Sequence, residues 1–88
     1  MNIRVKLYAT LIQIVPQAIL DRYPQGIRAG SPMDVDLPEG STLVDVVDHF
    51  ALPKEKVRVV FVNGRAKPLA YHLVPGDEVG LFPPVGGG

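Results

Sequence analysis

The stretch Ser41-Thr42-Leu43-Val44-Asp45-Val46-Val47-Asp48-His49-Phe50 decides the fold, because it is the clearest helix in the chain. Ser41 or Thr42 can cap this helix, and Asp45 lies in its first turn, where a carboxylate suits the helix dipole. Apolar side chains recur along the stretch at helical spacing, at Leu43, Val46, Val47 and Phe50. We expect the helix to end at Pro53 and its apolar stripe to lie on a sheet.

Two strands are predicted before the helix. Apolar and polar side chains alternate over residues 2–9 and again over residues 33–37, which indicates strands with one buried face. Pro38-Glu39-Gly40 closes the second strand as a turn. Residues 17–32 are expected to form a long, partly ordered connection with one helical turn at 18–23. The two strands are expected to pair as a hairpin.

Three strands are predicted after the helix. Residues 57–62 are almost continuously apolar, interrupted by Arg58, which is typical of a strand that is central or buried on both sides. Asn63-Gly64 predicts a tight turn into a short strand at 65–69, because both residues tolerate positive φ. A turn at Pro75-Gly76-Asp77 then leads into the last strand, residues 78–82.

This order of elements predicts an α+β domain with the β-grasp, or ubiquitin-like, arrangement. A mixed sheet of four to five strands is expected, with one main helix packed across it. The first and last strands are expected to lie side by side in the middle of the sheet. Residues 1–82 are predicted to form the domain, and residues 83–88 a flexible C-terminal tail.

Composition excludes several classes of protein. A chain of 88 residues suits one small domain without a catalytic cleft of its own. Nine basic and nine acidic residues cancel, which argues against a nucleic-acid-binding protein. Residues 1–7 alternate charged and apolar side chains, unlike a signal peptide or membrane span, so we expect a cytoplasmic protein without a membrane partner. No cysteine is present, which excludes disulfides, thiolate metal sites and a sulfur-bearing thiol on this chain.

The sequence ends in Phe82-Pro83-Pro84-Val85-Gly86-Gly87-Gly88. Glycine has no Cβ, so such a segment can enter a narrow channel in another protein and leave its terminal carbonyl open to attack. The two prolines favour an extended exit from the domain. The carboxylate of Gly88 is therefore the candidate reactive group.

The chain resembles the MoaD/ThiS family of ubiquitin-like sulfur carriers, and is more similar to the MoaD branch. Four segments carry the resemblance, and they span most of the chain. They are residues 5–11 (VKLYATL), 37–42 (LPEGST), 60–64 (VFVNG), and 76–79 (GDEV) continuing into 82–88 (FPPVGGG). Two features depart from the family pattern. Gly86 replaces the usual serine or alanine, and the connection at 17–32 is longer than in typical members, either as a tolerated loop or as a change in partner choice.

The resemblance implies a reaction cycle at Gly88. Its carboxylate would be adenylylated and converted to a thiocarboxylate that donates sulfur, in the MoaD case to precursor Z for the dithiolene of molybdopterin. The implied partners are a MoaE-like large subunit of molybdopterin synthase, a MoeB/ThiF-like adenylyltransferase and a sulfur donor protein. No cofactor is expected on this chain, since ATP is used by the adenylylating partner. The implied partner-binding residues are Phe82, Pro83, Pro84, Val85, Gly86 and Gly87.

The chain itself offers no Walker motif, no paired carboxylates in a pocket and no nucleophile with a base, so it is predicted to be a carrier subunit and not an enzyme. His49 and His72 are each isolated from other ligand types, so no metal site is predicted. Phe82 is expected to pack in the core, with exposure beside the tail as the alternative.

Basic side chains around the third and fourth strands can meet an acidic partner or simply form a solvated face. These side chains are Lys54, Lys56, Arg58, Arg65 and Lys67. Three other functions stay open for the chain as a whole. They are a sulfur carrier for thiamine, cysteine or tungsten-pterin pathways, a ubiquitin-like protein modifier joined to lysines, and a non-covalent interaction module.

Overall fold

The computed structural model describes residues 1–57 and 59–83. These residues contain five strands, two α-helices and two 3₁₀ helices. The strands are β1 (Asn2–Leu7), β2 (Met33–Asp36), β3 (Val59–Val62), β4 (Arg65–Ala66) and β5 (Glu78–Phe82). The α-helices are α1 (Gln17–Leu20) and α2 (Leu43–His49), and the 3₁₀ helices span Ala9–Ile14 and Lys54–Lys56. In these two described ranges, no helix is long and apolar enough to cross a membrane.

The strands form one mixed sheet in the order β2-β1-β5-β3-β4. β1 and β5 run parallel, and Leu7 lies opposite Leu81. The other neighbouring pairs are antiparallel. The first and last strands therefore lie side by side in the middle of the sheet, as the β-grasp prediction requires.

One face of the sheet packs on α2 and holds the buried core, and the opposite face is called here the open face. Buried and exposed residues alternate along β1 and β5, so alternate side chains enter the core. The side chains that α2 packs against this face are fully buried: Leu43, Val46 and Val47 in the helix and Phe50 at its C-cap. The helix begins as predicted at Thr42, whose N–H donates to Asp45 Oδ2 over 2.8 Å.

The predicted end of α2 at Pro53 is wrong. The helix ends at His49, with Phe50 as C-cap and Ala51 in the left-handed region at φ 52°. The Ala51 N–H donates to the Asp48 carbonyl over 2.9 Å, and the Leu52 N–H donates to the Val47 carbonyl over 3.1 Å. These two bonds form a Schellman motif, which satisfies the last helical carbonyls before proline has any part.

Of the two alternatives for the third strand, burial on both faces is wrong, whereas an interior position is confirmed, because β3 pairs with both β5 and β4. β3 lies second from the edge of the sheet, and Val59 and Phe61 are half-buried on the open face. The predicted bounds of β1 and β4 shift as well. β1 ends at Leu7, and Ala9, at φ 52°, begins a 3₁₀ helix instead of continuing the strand. β4 has only two residues.

The long connection at 17–32 contains the predicted helical turn as α1, and it is anchored to the end of α2. Tyr23 Oη lies 2.9 Å from His49 Nε2, and the Tyr23 ring stacks on Phe50 with centroids 5.9 Å apart. Burial lowers the pKa of His49, and the Arg22 guanidinium lowers it further. Burial also raises the pKa of Tyr23. The connection is thus fixed to the domain at its middle.

We expect acid to destabilise the fold in part through His49. The unfolded chain takes up a proton near the ordinary pKa of about 6.5, whereas folded His49 takes it up only at lower pH. The free energy of unfolding should therefore fall as pH drops from about 6.5 toward the folded-state pKa. Urea unfolding across this range checks it, because His49→Gln removes the titrating group and should flatten the pH dependence. Equal pH dependence in the native chain and in His49→Gln would contradict the assignment.

Candidate functional site

The tail leaves the domain from the end of β5, which is held on both sides. The Tyr8 N–H donates to the Leu81 carbonyl over 3.1 Å, and Phe82 lies opposite Val59 of β3. Pro83 follows as the last described residue. The predicted site residues Pro84, Val85, Gly86, Gly87 and Gly88 lie outside the described residues. Of the predicted partner-binding residues, the structure describes Phe82 and Pro83.

Three aromatic side chains meet on the open face beside this exit. Tyr8 and Phe82 stack with centroids 4.3 Å apart and an interplanar angle of 3°. Phe61 meets Phe82 edge to face at 5.6 Å. All three side chains are half-buried, and Tyr8, Phe61 and Phe82 are called here the aromatic surface.

The expectation that Phe82 packs in the core is therefore wrong, because its ring lies half-buried on the open face, next to Pro83. Of the neighbours Leu81 and Phe82, Leu81 is the core residue, with 0% of its surface exposed. Side chains alternate along a strand, so burying Val79 and Leu81 turns Phe82 outward.

A depression of about 390 Å³ opens beside the aromatic surface. It exists because Gly80 has no side chain: a Cβ there would lie 3.3 Å from Tyr8 Cε2 and 3.4 Å from Phe82 Cε2. Lys6 and Glu78 also line it, so one ammonium and one carboxylate flank an apolar hollow. An apolar side chain of a partner fits such a hollow, with the charges fixing its orientation.

The long connection reaches this site from the other side of Tyr8. The Gly30 N–H donates to the Leu7 carbonyl over 2.9 Å. A Cβ on Gly30 would lie 3.5 Å from Tyr8 Cε1. The connection therefore forms one border of the aromatic surface, which places it where it can contact whatever binds there.

Two of the segments that carry the family resemblance, residues 60–64 and 76–79, meet at the start of β5. Asn63 Nδ2 donates to Asp77 Oδ1 over 2.9 Å, and the Glu78 N–H donates to Asn63 Oδ1 over 3.0 Å. The Asp77 side chain is buried, and its Oδ2 accepts the Val74 N–H over 2.9 Å. These contacts, called here the Asn63–Asp77 latch, join the β3–β4 turn to β5.

Two of the five basic side chains in the predicted cluster have partners within the domain. Lys54 pairs with Asp48 at 3.1 Å, and Lys67 lies 5.2 Å from the Tyr71 ring centroid. Arg58 lies outside the described residues. Over residues 1–57 and 59–83, no three His, Cys, Asp or Glu side chains form a group that can hold a metal ion.

Sequence reasoning missed Tyr8, Phe61 and Gly80. For Tyr8 and Gly80 a signal was present in the strand alternation, since Tyr8 follows β1 in step with Arg4 and Lys6. Gly80 shares its face with Glu78. Charged neighbours at even spacing mark these positions as outward.

Comparison with known proteins finds one matching family model and several solved structures with the same fold. The model of the ThiS family matches residues 22–88. No curated protein matches the chain in sequence.

Three solved structures share the fold. SAMP1 of Haloferax volcanii is 26% identical, each chain covers 100% of the other, and the TM-score is 0.66. A structure of H. volcanii small archaeal modifier protein 1 is 23% identical over 96% of this chain and 98% of that one, with a TM-score of 0.64. A Pyrococcus furiosus protein described as a molybdopterin converting factor, subunit 1, is 26% identical over 97% of this chain and 99% of that one, with a TM-score of 0.62.

Proposed function

The chain belongs to the ThiS family, and from this we propose that it carries sulfur on its C-terminal residue, Gly88, as the small subunit of a molybdopterin synthase. It has the ubiquitin-like fold shared by sulfur carriers and protein modifiers. Small proteins of this kind are generally not catalytic themselves. The chemistry is therefore assigned to the tail and to partner proteins.

The proposed reaction starts from the Gly88 carboxylate, which is a poor acyl donor. Attack of this carboxylate on the α-phosphate of ATP forms an acyl adenylate and releases pyrophosphate. Sulfur at the sulfide level, supplied by a donor protein, then displaces AMP and leaves a thiocarboxylate; if it arrives as a persulfide, a thiol cleaves the resulting acyl disulfide and is itself oxidised to a disulfide. The chain has no cysteine to hold the sulfur, so the terminal acyl group is the carrier.

The observation that supports this proposal is the aromatic surface at the base of the tail. Partly exposed aromatic side chains grouped around a hollow are typical of a protein-binding site. Here they adjoin Pro83, so a partner that grips Tyr8 and Phe82 has the tail directed into it. An adenylyltransferase and a synthase large subunit both need this geometry, because each must receive the same end of the chain.

Molybdopterin synthesis is the favoured pathway, with a MoaE-like large subunit as sulfur acceptor and a MoeB/ThiF-like enzyme as activator. The likeness to the P. furiosus molybdopterin converting factor subunit supports it. The likeness to SAMP1 supports a second function, in which Gly88 is joined to lysines of other proteins. Adenylylation of Gly88 is common to both, and the two separate at the acceptor.

Reconstitution with the adenylyltransferase and sulfur donor of the same organism tests the proposal. Intact-mass spectrometry is expected to show one oxygen of the C-terminus replaced by sulfur. Adding the MoaE-like subunit and precursor Z should return the chain to its carboxylate form as the dithiolene appears. Failure with every adenylyltransferase of that organism would reject the carrier function. Tryptic peptides with a lysine-linked remnant of the tail, in place of the thiocarboxylate, would favour the modifier.

A further inference from the structure

The turn between β3 and β4 contains the chain's single Asn-Gly pair, Asn63-Gly64. In such a pair the glycine nitrogen can attack the asparagine side-chain amide, because glycine has no side chain to obstruct the approach. A Cβ built on Gly64 would meet nothing within 4 Å, and Asn63 is exposed. The other asparagine, Asn2, precedes β-branched Ile3, which hinders the same attack.

We propose that Asn63 is a deamidation site, and that its modification releases the strand that carries the tail. The Gly64 nitrogen bonds to Asn63 Cγ and gives up its proton, and the side-chain nitrogen leaves as ammonia. Water then opens the succinimide ring at either carbonyl. The product has a carboxylate in an aspartyl or isoaspartyl linkage, and the reaction needs only water.

The new carboxylate is incompatible with the Asn63–Asp77 latch. Asn63 Nδ2 donates over 2.9 Å to a carboxylate whose residue is only 3% exposed. A carboxylate at position 63 has no hydrogen to donate and brings a second negative charge to this distance. Asp77 thereby loses a hydrogen-bond donor in a place that water barely reaches.

The damage reaches β5 because the same residue fixes the start of that strand. The Asn63 N–H donates to the Glu78 carbonyl over 2.8 Å, and the Asn63 side chain accepts the Glu78 N–H. An isoaspartyl linkage adds one carbon to the main chain at the turn, so these bonds cannot all persist. β5 lies between β1 and β3 and ends at the tail, so a loosened start weakens the whole support of the tail.

The latch also protects Asn63 from the reaction. Both polar atoms of its side chain are held, Nδ2 by Asp77 and Oδ1 by the Glu78 N–H. The amide carbon therefore approaches the Gly64 nitrogen only when the turn opens. The rate of deamidation thus reports how often this end of β5 comes free.

The first test measures the rate in the full chain in mildly alkaline buffer. Isoaspartate is detected by enzymatic methylation, and total deamidation by intact mass. The native chain in urea and the folded Asp77→Ala variant are each expected to react roughly tenfold faster than the folded native chain. Equal rates in the folded native chain and in urea would overturn the protection, and no product in urea would overturn the site.

The second test measures the consequence by urea unfolding. Asn63→Asp should raise the unfolding equilibrium constant roughly tenfold to a hundredfold, whereas the control Asn2→Asp should change it by less than about threefold. Adding Asp77→Asn to Asn63→Asp should restore most of the stability, because an amide at position 77 can donate to the new carboxylate and still accept the Val74 N–H. Native stability in Asn63→Asp, or no rescue by the second change, would overturn the proposal.

Discussion

Replacing Gly88 with tryptophan is expected to abolish ATP-dependent pyrophosphate exchange with the partner adenylyltransferase. A bulky side chain on the last residue blocks entry into a narrow channel and crowds the carbonyl that must be attacked. The free energy of unfolding should stay within about 0.5 kcal/mol of the native value, because the buried apolar core lies between Ile3 and Leu81. Exchange assays and urea unfolding on the same sample measure both quantities.

The matched control for this prediction is Gly86→Ser, which introduces a residue that similar carriers have at this position. Exchange should persist in the control, because the two terminal glycines are unchanged. Undiminished exchange by Gly88→Trp would show that the terminal residue does not enter the active site. Loss of folding in that variant would show instead that the tail supports the domain.

Filling the depression at Gly80 is expected to weaken binding of the adenylyltransferase roughly tenfold to a hundredfold. In Gly80→Val, the new side chain occupies the space that a side chain of the partner protein would fill. It also presses on the Tyr8 and Phe82 rings, which lie 3.3 and 3.4 Å from an added Cβ. Valine suits a strand, so folding should be retained. Isothermal titration with the purified partner gives the dissociation constant, and urea unfolding checks the domain.

Ala66→Val provides a control on the same row of the open face. Ala66 lies opposite Phe61 on β4, at the edge of the sheet, whereas Gly80 lies opposite Phe61 on β5. Both changes add the same β-branched side chain to an outward position. If the two variants bind equally well, the depression is not where the partner docks, and the carrier function remains to be judged by Gly88 alone.

The fold follows from local patterns that the sequence states clearly. Alternation at Ile3, Val5 and Leu7, and the helical spacing from Leu43 to Phe50, predict elements that the structure contains. The end of α2 did not follow, because Ala51 adopts positive φ where glycine usually marks such a cap. The one-sided burial of β3 did not follow either, since apolar Val59 and Phe61 on the open face make the strand a continuous apolar run.

The aromatic surface is harder to predict because it depends on contacts between distant residues. Phe61 lies on β3, Phe82 on β5 and Tyr8 directly after β1, and only the register of these strands brings the three rings together. The outward direction of Phe82 was within reach of sequence reasoning, because charged Glu78 stands four residues earlier on the same face. The depression was not, since alternation shows that Gly80 faces outward but not that the Tyr8 and Phe82 rings lie beside it.

The parallel pairing of β1 with β5 has a mechanical consequence. A force that draws the two chain ends apart acts lengthwise on these strands, so their hydrogen bonds are loaded together in shear. The antiparallel contact with β3 shares that load, because β5 is bonded on both sides. A protein that unfolds this domain by pulling on its C-terminus must therefore break many hydrogen bonds at once. Separating the short edge strand β4 from β3 instead breaks only a few bonds at a time.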